Sequence, residues 1–288
     1  MKLPIALAVL SLCAASLPAE EAAPAINKDL AYVANGHARQ KLDVFLPPNP
    51  AASCPLLVWI HGGAWKEGSK ENCPALGMLG KGWVVASINY RFSQHAIFPA
   101  QIEDCKAAIR WLRANATRYH IDKDRVAVWG ASAGGHLAAM LATAGEIKEF
   151  DVGENLDQSS AVKCAINWFG PTDFLNWGEQ SVIKAENPDD VVAKLFGGPV
   201  SKNKALATKG SPLHWVTKAS APMLIMHGDK DPLVPLQQSE LLRDAYKAAG
   251  ADCTLQVYPG MGHGGPLFSD EAALKLMVGF LEKHTAAK

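Results

Sequence analysis

A serine hydroxyl becomes a nucleophile only where the backbone pushes it out of its element and a base stands beside it. Gly130-Ala131-Ser132-Ala133-Gly134 meets the first requirement: it follows the apolar run Arg125 to Trp129 and precedes a helical stretch, His136 to Thr143. A sharp strand-to-helix turn strains the serine backbone, and a glycine two residues to either side lets the chain double back. The same five letters could merely open a helix with Ser132 as its cap. Partners elsewhere in the chain must therefore decide.

The first partner is His61-Gly62-Gly63-Ala64-Trp65, placed directly after the apolar run Pro55 to Ile60. Glycines there let backbone N–H groups approach an oxygen that turns negative as a carbonyl becomes tetrahedral. The N–H groups of Gly62, Gly63 and Ala133 are the expected donors, aided by the positive end of the helix that follows Ser132. A glycine-rich turn beside a core tryptophan is the bland reading of the same residues. The base must come from nine histidines. His263 is the candidate, because Gly260-Met261-Gly262-His263-Gly264-Gly265 is a flexible loop between the last expected strand and the last helix. His61 is assigned to holding the glycine loop, and His136 and His227 to structural roles. The acid that orients the base is sought in His227-Gly228-Asp229-Lys230-Asp231-Pro232, where Asp229 or Asp231 could reach. Asp231 is chosen because Ser132, Asp231, His263 is the chain order of acyl-transfer enzymes built on a parallel sheet, leaving Asp229 to brace the loop. Asp173 is a weaker substitute. Trp65 and Trp177, beside these loops, are the candidates for stacking on a sugar or an aromatic acyl ring.

These residues need a scaffold that brings distant loops to one edge. Strand-length apolar runs recur at Lys41 to Leu46, Pro55 to Ile60, Trp83 to Ile88, Arg125 to Trp129, Val162 to Trp168, Met223 to Met226 and Thr254 to Tyr258. Helical stretches alternate with them: Ala100 to Asn115, His136 to Thr143, Gln237 to Ala249 and Asp270 to Lys283. That alternation predicts an α/β fold, a mostly parallel central sheet with helices on both faces. No internal repeat or linker divides residues 21–288, which are expected to form one domain. Glu146 to Ser160 is expected to be an exposed acidic loop. Residues 172–213, with one helix over Pro188 to Phe196, are expected to form a small cap-like insertion over the carboxyl ends of the strands, where parallel sheets place their ligands. Arg91 and Asp104 are expected to pair and tie a helix to the sheet.

HGGAW, NYRFSQHAIFPAQIEDCKAAIRWLRANA, GASAGGHLAAMLA, FGPTDF, SPLHWVTKASAPMLIMHGDKDPLVP and GMGHGG together resemble the hormone-sensitive-lipase-like carboxylesterases of the α/β-hydrolase fold. Within that group the similarity is to the bacterial acetylxylan and feruloyl esterases, and it runs from about Tyr32 to the end. The resemblance implies Ser132 as nucleophile, Asp231 as acid, His263 as base, and Gly62, Gly63 and Ala133 as oxyanion donors. It also implies a substrate that is a short acyl or hydroxycinnamoyl ester, small or linked to a plant polysaccharide. Two rivals share the scaffold. A prolyl-oligopeptidase-like serine peptidase has the same triad order, but such enzymes carry a large amino-terminal propeller for which the residues before Tyr32 leave no room. A dead hydrolase scaffold used for binding is opposed by the triad positions all being filled.

Composition agrees. Lys plus Arg and Asp plus Glu are 28 each, so no net field draws nucleic acid or an anionic membrane. The proposed chemistry requires neither metal nor organic cofactor. Residues 1–20 read as a signal peptide, with Lys2, a short apolar run from Ile5 to Leu12 and small residues at Ala14-Ala15-Ser16, which implies a secreted or periplasmic protein. Cleavage would leave five of the six cysteines, whose spacing fits no zinc site and suits buried small hydrophobes with at most one bridge.

Overall fold

The computed structural model describes residues 24–287, so the expected signal peptide lies outside the described residues. Eight strands form one sheet: β1 (Ile26–Ala31), β2 (Lys41–Phe45), β3 (Cys54–Ile60), β4 (Val84–Ile88), β5 (Ile121–Ala131), β6 (Cys164–Trp168), β7 (Met223–Gly228) and β8 (Cys253–Tyr258). Their order across the sheet is β1-β2-β4-β3-β5-β6-β7-β8. From β4 to β8 every pairing is parallel, while β1 and β2 add antiparallel at one edge. The expected mostly parallel sheet is thus found, with β1 as an addition. Its sequence INKDLA has no apolar run because an edge strand exposed on most positions needs none.

The central strands read as continuous apolar runs because both faces are covered. On β3, Leu56, Val58 and Ile60 enter one core, with Ile102 and Ile109 of α1 (Ala100–Ala114), Leu137 and Leu141 of α2 (Ala133–Ala144), and more distant residues of the chain. The alternate residues Leu57 and Trp59 enter the other, with Met78 and Leu79 of a short tight helix at Pro74–Lys81. Two further helices, α3 (Val191–Leu195) and α4 (Lys204–Gly210), lie in the 172–213 segment; α5 (Leu236–Ala249) and α6 (Glu271–Thr285) follow, the last covering the second face through Ala273, Met277 and Leu281.

Three sequence expectations shift. The helix expected from His136 begins at Ala133, immediately after Ser132. The helix expected over Pro188 to Phe196 is shorter, Val191–Leu195, started by the Asp190 side chain accepting from Val191 N–H and closed at Gly197 with φ 76°. The acidic stretch Glu146 to Ser160 is not simply exposed: Phe150 is buried, and the Asp151 carboxylate lies 3.1 Å from Lys106 Nζ and 2.9 Å from Arg110 Nη1. Both cations are fully buried on α1, so an unpaired charge there would be costly and the loop supplies the counter-charge. The five described cysteines are all free thiols. Arg91 meets Asp104 as expected, Nη2 to Oδ1 at 2.8 Å.

Segment 172–213 is held by the loops beside it. Phe98 N–H donates to Leu195 O, Val182 N–H to Pro232 O, and Thr172 N–H to the buried Gln238 side chain. Phe98 belongs to the connection after β4, and Pro232 and Gln238 to the connection and helix after β7.

Candidate active site

The carboxyl ends of β3, β5, β7 and β8 carry the four loops singled out above. At the end of β5, Ser132 adopts φ 55° and ψ −118°, a strained conformation for a residue with a Cβ. Packing holds it there. A Cβ on Gly130 would lie 2.1 Å from Gly134 O, and one on Gly134 would lie 2.0 Å from Ile60 O, so neither turn position has room for a side chain. Ser132 N–H donates to Trp168 O at 2.8 Å and its carbonyl accepts from His136 N–H, which pins the turn to β6 on one side and to α2 on the other.

Three side chains meet there. His263 Nε2 is 2.8 Å from Ser132 Oγ, and His263 Nδ1 is 2.7 Å from Asp231 Oδ2. A carboxylate only accepts, so Nδ1 carries the proton and Nε2 offers its lone pair to the serine hydroxyl. The Asp231 side chain is fully buried, and its Oδ1 accepts from Leu233 N–H at 2.8 Å and Val234 N–H at 3.0 Å. Its Oδ2 also lies 3.2 Å from His227 Nε2. Burial alone would push this carboxyl up; the bonds from His227 and His263, the charge of His263 and the Val234 N–H together hold it well below the usual carboxylate range. Asp229 accepts from Gly260 N–H at 2.7 Å, bracing the two loops against each other. Asp173 accepts from Leu175, Asn176 N–H and the Asn176 amide, and has no bond to the histidine.

The glycine loop faces the serine. A Cβ on Gly62 would lie 3.3 Å from Ser132 Cβ, and Gly63 has φ 106° with its carbonyl accepting from Lys66 and Glu67 N–H. Among the described residues no protein acceptor meets the N–H of Gly62 or Gly63. His61 is buried with Nδ1 2.6 Å from Gly62 O.

Trp65 and Trp177 are placed differently from their expected role as stacking platforms. Trp65 is 2% exposed, donates its indole N–H to His136 Nδ1 and packs edge-on against Phe174. Trp177 is 7% exposed, stacks on Phe174 and donates to Ile183 O. Both are core residues joining segment 172–213 to the loops. Proximity in sequence to a site loop does not say which way a ring turns. A residue the motifs did not mark, Phe169, sits with its ring 4.6 Å from that of His263, at φ 41° just after β6.

A cavity of 640 Å³ lies between the turn after Gly63 and the end of α3, lined by Lys66, Gln94, Lys194 and Gly198 among others. A larger one, 880 Å³, opens around Leu141, Trp215 and Pro222, at the far end of α2 from Ser132. Neither cavity is lined by Ser132, Asp231 or His263, and the chemistry places the site at the strained serine and the histidine. Among the described residues no group of three or more His, Cys, Asp or Glu could hold a metal, and no helix is long and apolar enough to cross a membrane.

Residues 42–246 match the BD-FAE family model, most of the chain and three of the four loops. The chain belongs to the BD-FAE family. The esterase LipQ of Mycobacterium tuberculosis is 32% identical to this BD-FAE member over 77% of its chain and 53% of LipQ. The chain spans about half the length of such relatives. Among solved structures, the truncated form of a carbohydrate esterase from gut microbiota superposes with a TM-score of 0.84 at 32% identity, covering 94% of this chain and 99% of that one. Est2 of Thermogutta terrifontis, an esterase seen with propionate bound, gives 0.71 at 26% identity over 86% and 92%. The BD-FAE architecture thus agrees with the α/β-hydrolase resemblance read from the motifs.

Proposed function

We propose that this BD-FAE protein hydrolyses carboxylic esters through an acyl-enzyme on Ser132. The observation that carries the reading is the single hydrogen-bonded line from Ser132 Oγ through His263 to the buried Asp231, 2.8 and 2.7 Å long, ending on a serine held at a strained turn. His263 Nε2 takes the Ser132 proton as Oγ attacks the ester carbonyl. The carbonyl oxygen becomes negative and is met by the N–H groups of Gly62, Gly63 and Ala133. The imidazolium, stabilised by Asp231, returns its proton to the leaving alcohol. Water then attacks the acyl-enzyme by the same route, giving the acid and free Ser132.

The natural substrate in this proposal is a short acyl or hydroxycinnamoyl ester on plant polysaccharide, and the protein is exported. Supporting the first part are the resemblance to the gut carbohydrate esterase and the propionate seen in Est2. The cavity between the Gly63 turn and α3 has polar and glycine walls suited to a sugar, and segment 172–213 forms one side of it. The leader-like residues 1–20 support export. Ser132→Ala is expected to abolish turnover of p-nitrophenyl acetate, while circular dichroism stays that of the parent. Retained turnover would remove Ser132 from the reaction. A panel of acetylated xylan, methyl ferulate and p-nitrophenyl esters of rising chain length then tests the substrate class.

A further inference from the structure

We propose that Arg39 is a positioning residue for the oxyanion site, acting through the tautomer of His61; the proposal rests on the ester-hydrolase reading above. Arg39 lies before β2, far in sequence from every loop of the site, yet its Nη2 reaches His61 Nε2 at 3.1 Å. The same guanidinium donates through Nε to Tyr90 O at 2.8 Å, through Nη2 to Asn89 Oδ1 at 3.1 Å and Gly68 O at 3.2 Å, and lies 3.5 Å over the Phe92 ring. Four acceptors and one ring face hold it.

Gly62 O can only accept, so the single imidazole proton sits on Nδ1 and the Nε2 lone pair faces Arg39 Nη2, whose two N–H groups are shared among His61 Nε2, Asn89 Oδ1 and Gly68 O. Nδ1–H then donates to Gly62 O at 2.6 Å. The Gly62–Gly63 peptide is planar and trans, so its carbonyl and the Gly63 N–H point in opposite directions. Holding the carbonyl on His61 therefore turns the Gly63 N–H the other way, and this is one of the two loop amides with no protein acceptor. With the other tautomer, a lone pair on Nδ1 would face the carbonyl oxygen, and the peptide would lose its anchor at a glycine pair with little resistance to rotation.

The surroundings enforce the arrangement. His61 stacks on Tyr90 at 4.6 Å, and Tyr90 O–H donates to His61 O. Gly68 packs on the bond itself: a Cβ there would lie 2.5 Å from both His61 Nδ1 and Gly62 O. Burial first, and Arg39's charge as well, hold the imidazole neutral, its pKa lowered to about 4 against the opposing bonds to Gly62 O and the Asn89 side chain.

The test uses Arg39→Met and Gly68→Ala, which disturb the same bond from opposite ends. Each is expected to lower kcat for p-nitrophenyl acetate about 10- to 100-fold with KM within about twofold, since losing an oxyanion donor outright costs about 10²–10³. Imidazole ¹⁵N chemical shifts should show His61 as the Nδ1–H tautomer in the parent and a mixture in Arg39→Met. A merely structural role for Arg39 would lower melting temperature without changing the tautomer. Parental kcat in both variants, or a fall in kcat with His61 still wholly Nδ1–H in Arg39→Met, would overturn the proposal. If Arg39→Met does not fold, Gly68→Ala decides by its kcat and KM. If the parent protein itself fails to cleave the ester, the hydrolase reading falls, and the tautomer measurement separately reports the Arg39–His61 contact.

Discussion

Asp231 accepts from two histidines and two backbone amides, and that set distinguishes it from the two other carboxylates that sequence order left in play. In the proposed reaction its work is to keep the His263 proton on Nδ1 and to stabilise the imidazolium. An amide in its place can present N–H to the ring and favour the wrong tautomer. Asp231→Asn is accordingly expected to lower kcat about 10⁴-fold with KM little changed, the size seen when the equivalent acid is neutralised in serine proteases. Asp229→Asn and Asp173→Asn, whose carboxylates bond to Gly260 and to residues 175–176, should stay within a few-fold of the parent. Steady-state kinetics on p-nitrophenyl acetate separates the three, and comparable losses in all of them would deny Asp231 its special place.

At the scale of elements, the turn between β5 and α2 is where backbone and chemistry are coupled most tightly. Gly134 touches the end of β3, so a methyl there, 2.0 Å from Ile60 O and 2.6 Å from His61 O, must push the serine helix away from the glycine loop. Gly134→Ala is expected to cost about 1–3 kcal/mol of stability by overpacking and to lower kcat more than tenfold. Gly279, inside α6 with open space around its Cβ position, provides the contrast: Gly279→Ala should add roughly 0.5–1 kcal/mol and leave kcat alone. Urea unfolding with parallel kinetics reads both. The turn was legible in the sequence because its glycines are local to it, as were β3 and β7, whose CPLLVWI and MLIMHG have buried residues on both faces. Less legible was whatever depends on partners far along the chain. Strand β1 pairs along one edge only and carries no apolar pattern. Trp65 and Trp177 turn inward onto Phe174, and Asp151 is drawn in by cations some 40 residues earlier. Arg39 sits in the polar stretch GHARQK, where nothing nearby marks it, because its bonds run to residues 61, 68, 89 and 90.

For the molecule as a whole, two of the three buried histidines, His61 and His136, tie the site to the fold and also shape its response to acid. His61 and His136 are each satisfied only when neutral. His136 donates from Nε2 to Gly210 O at 2.7 Å and accepts at Nδ1 from Trp65, so a second ring proton would face an indole N–H. On His61 it would face the Arg39 guanidinium. Burial is the main cause in both, and each pKa is lowered to about 4. In the unfolded chain both titrate near 6.5. Between these values the unfolded state binds more protons than the folded one, so stability falls as pH drops from about 6.5 to about 4, by about 3 kcal/mol for each histidine. Asp231 and Asp151, whose folded pKa values are depressed, keep their contribution through this window and lose it only below the ordinary carboxylate range. Urea midpoints are therefore expected to fall steadily from pH 7 to pH 4.5, before the buried carboxylates matter. His136→Asn, though less stable at pH 7, should show a shallower slope across that interval. A midpoint that stays flat between pH 6.5 and 4.5 in the parent protein would mean that the two imidazoles take up their protons without unfolding, and the neutral-only bonding at both sites would have to be given up.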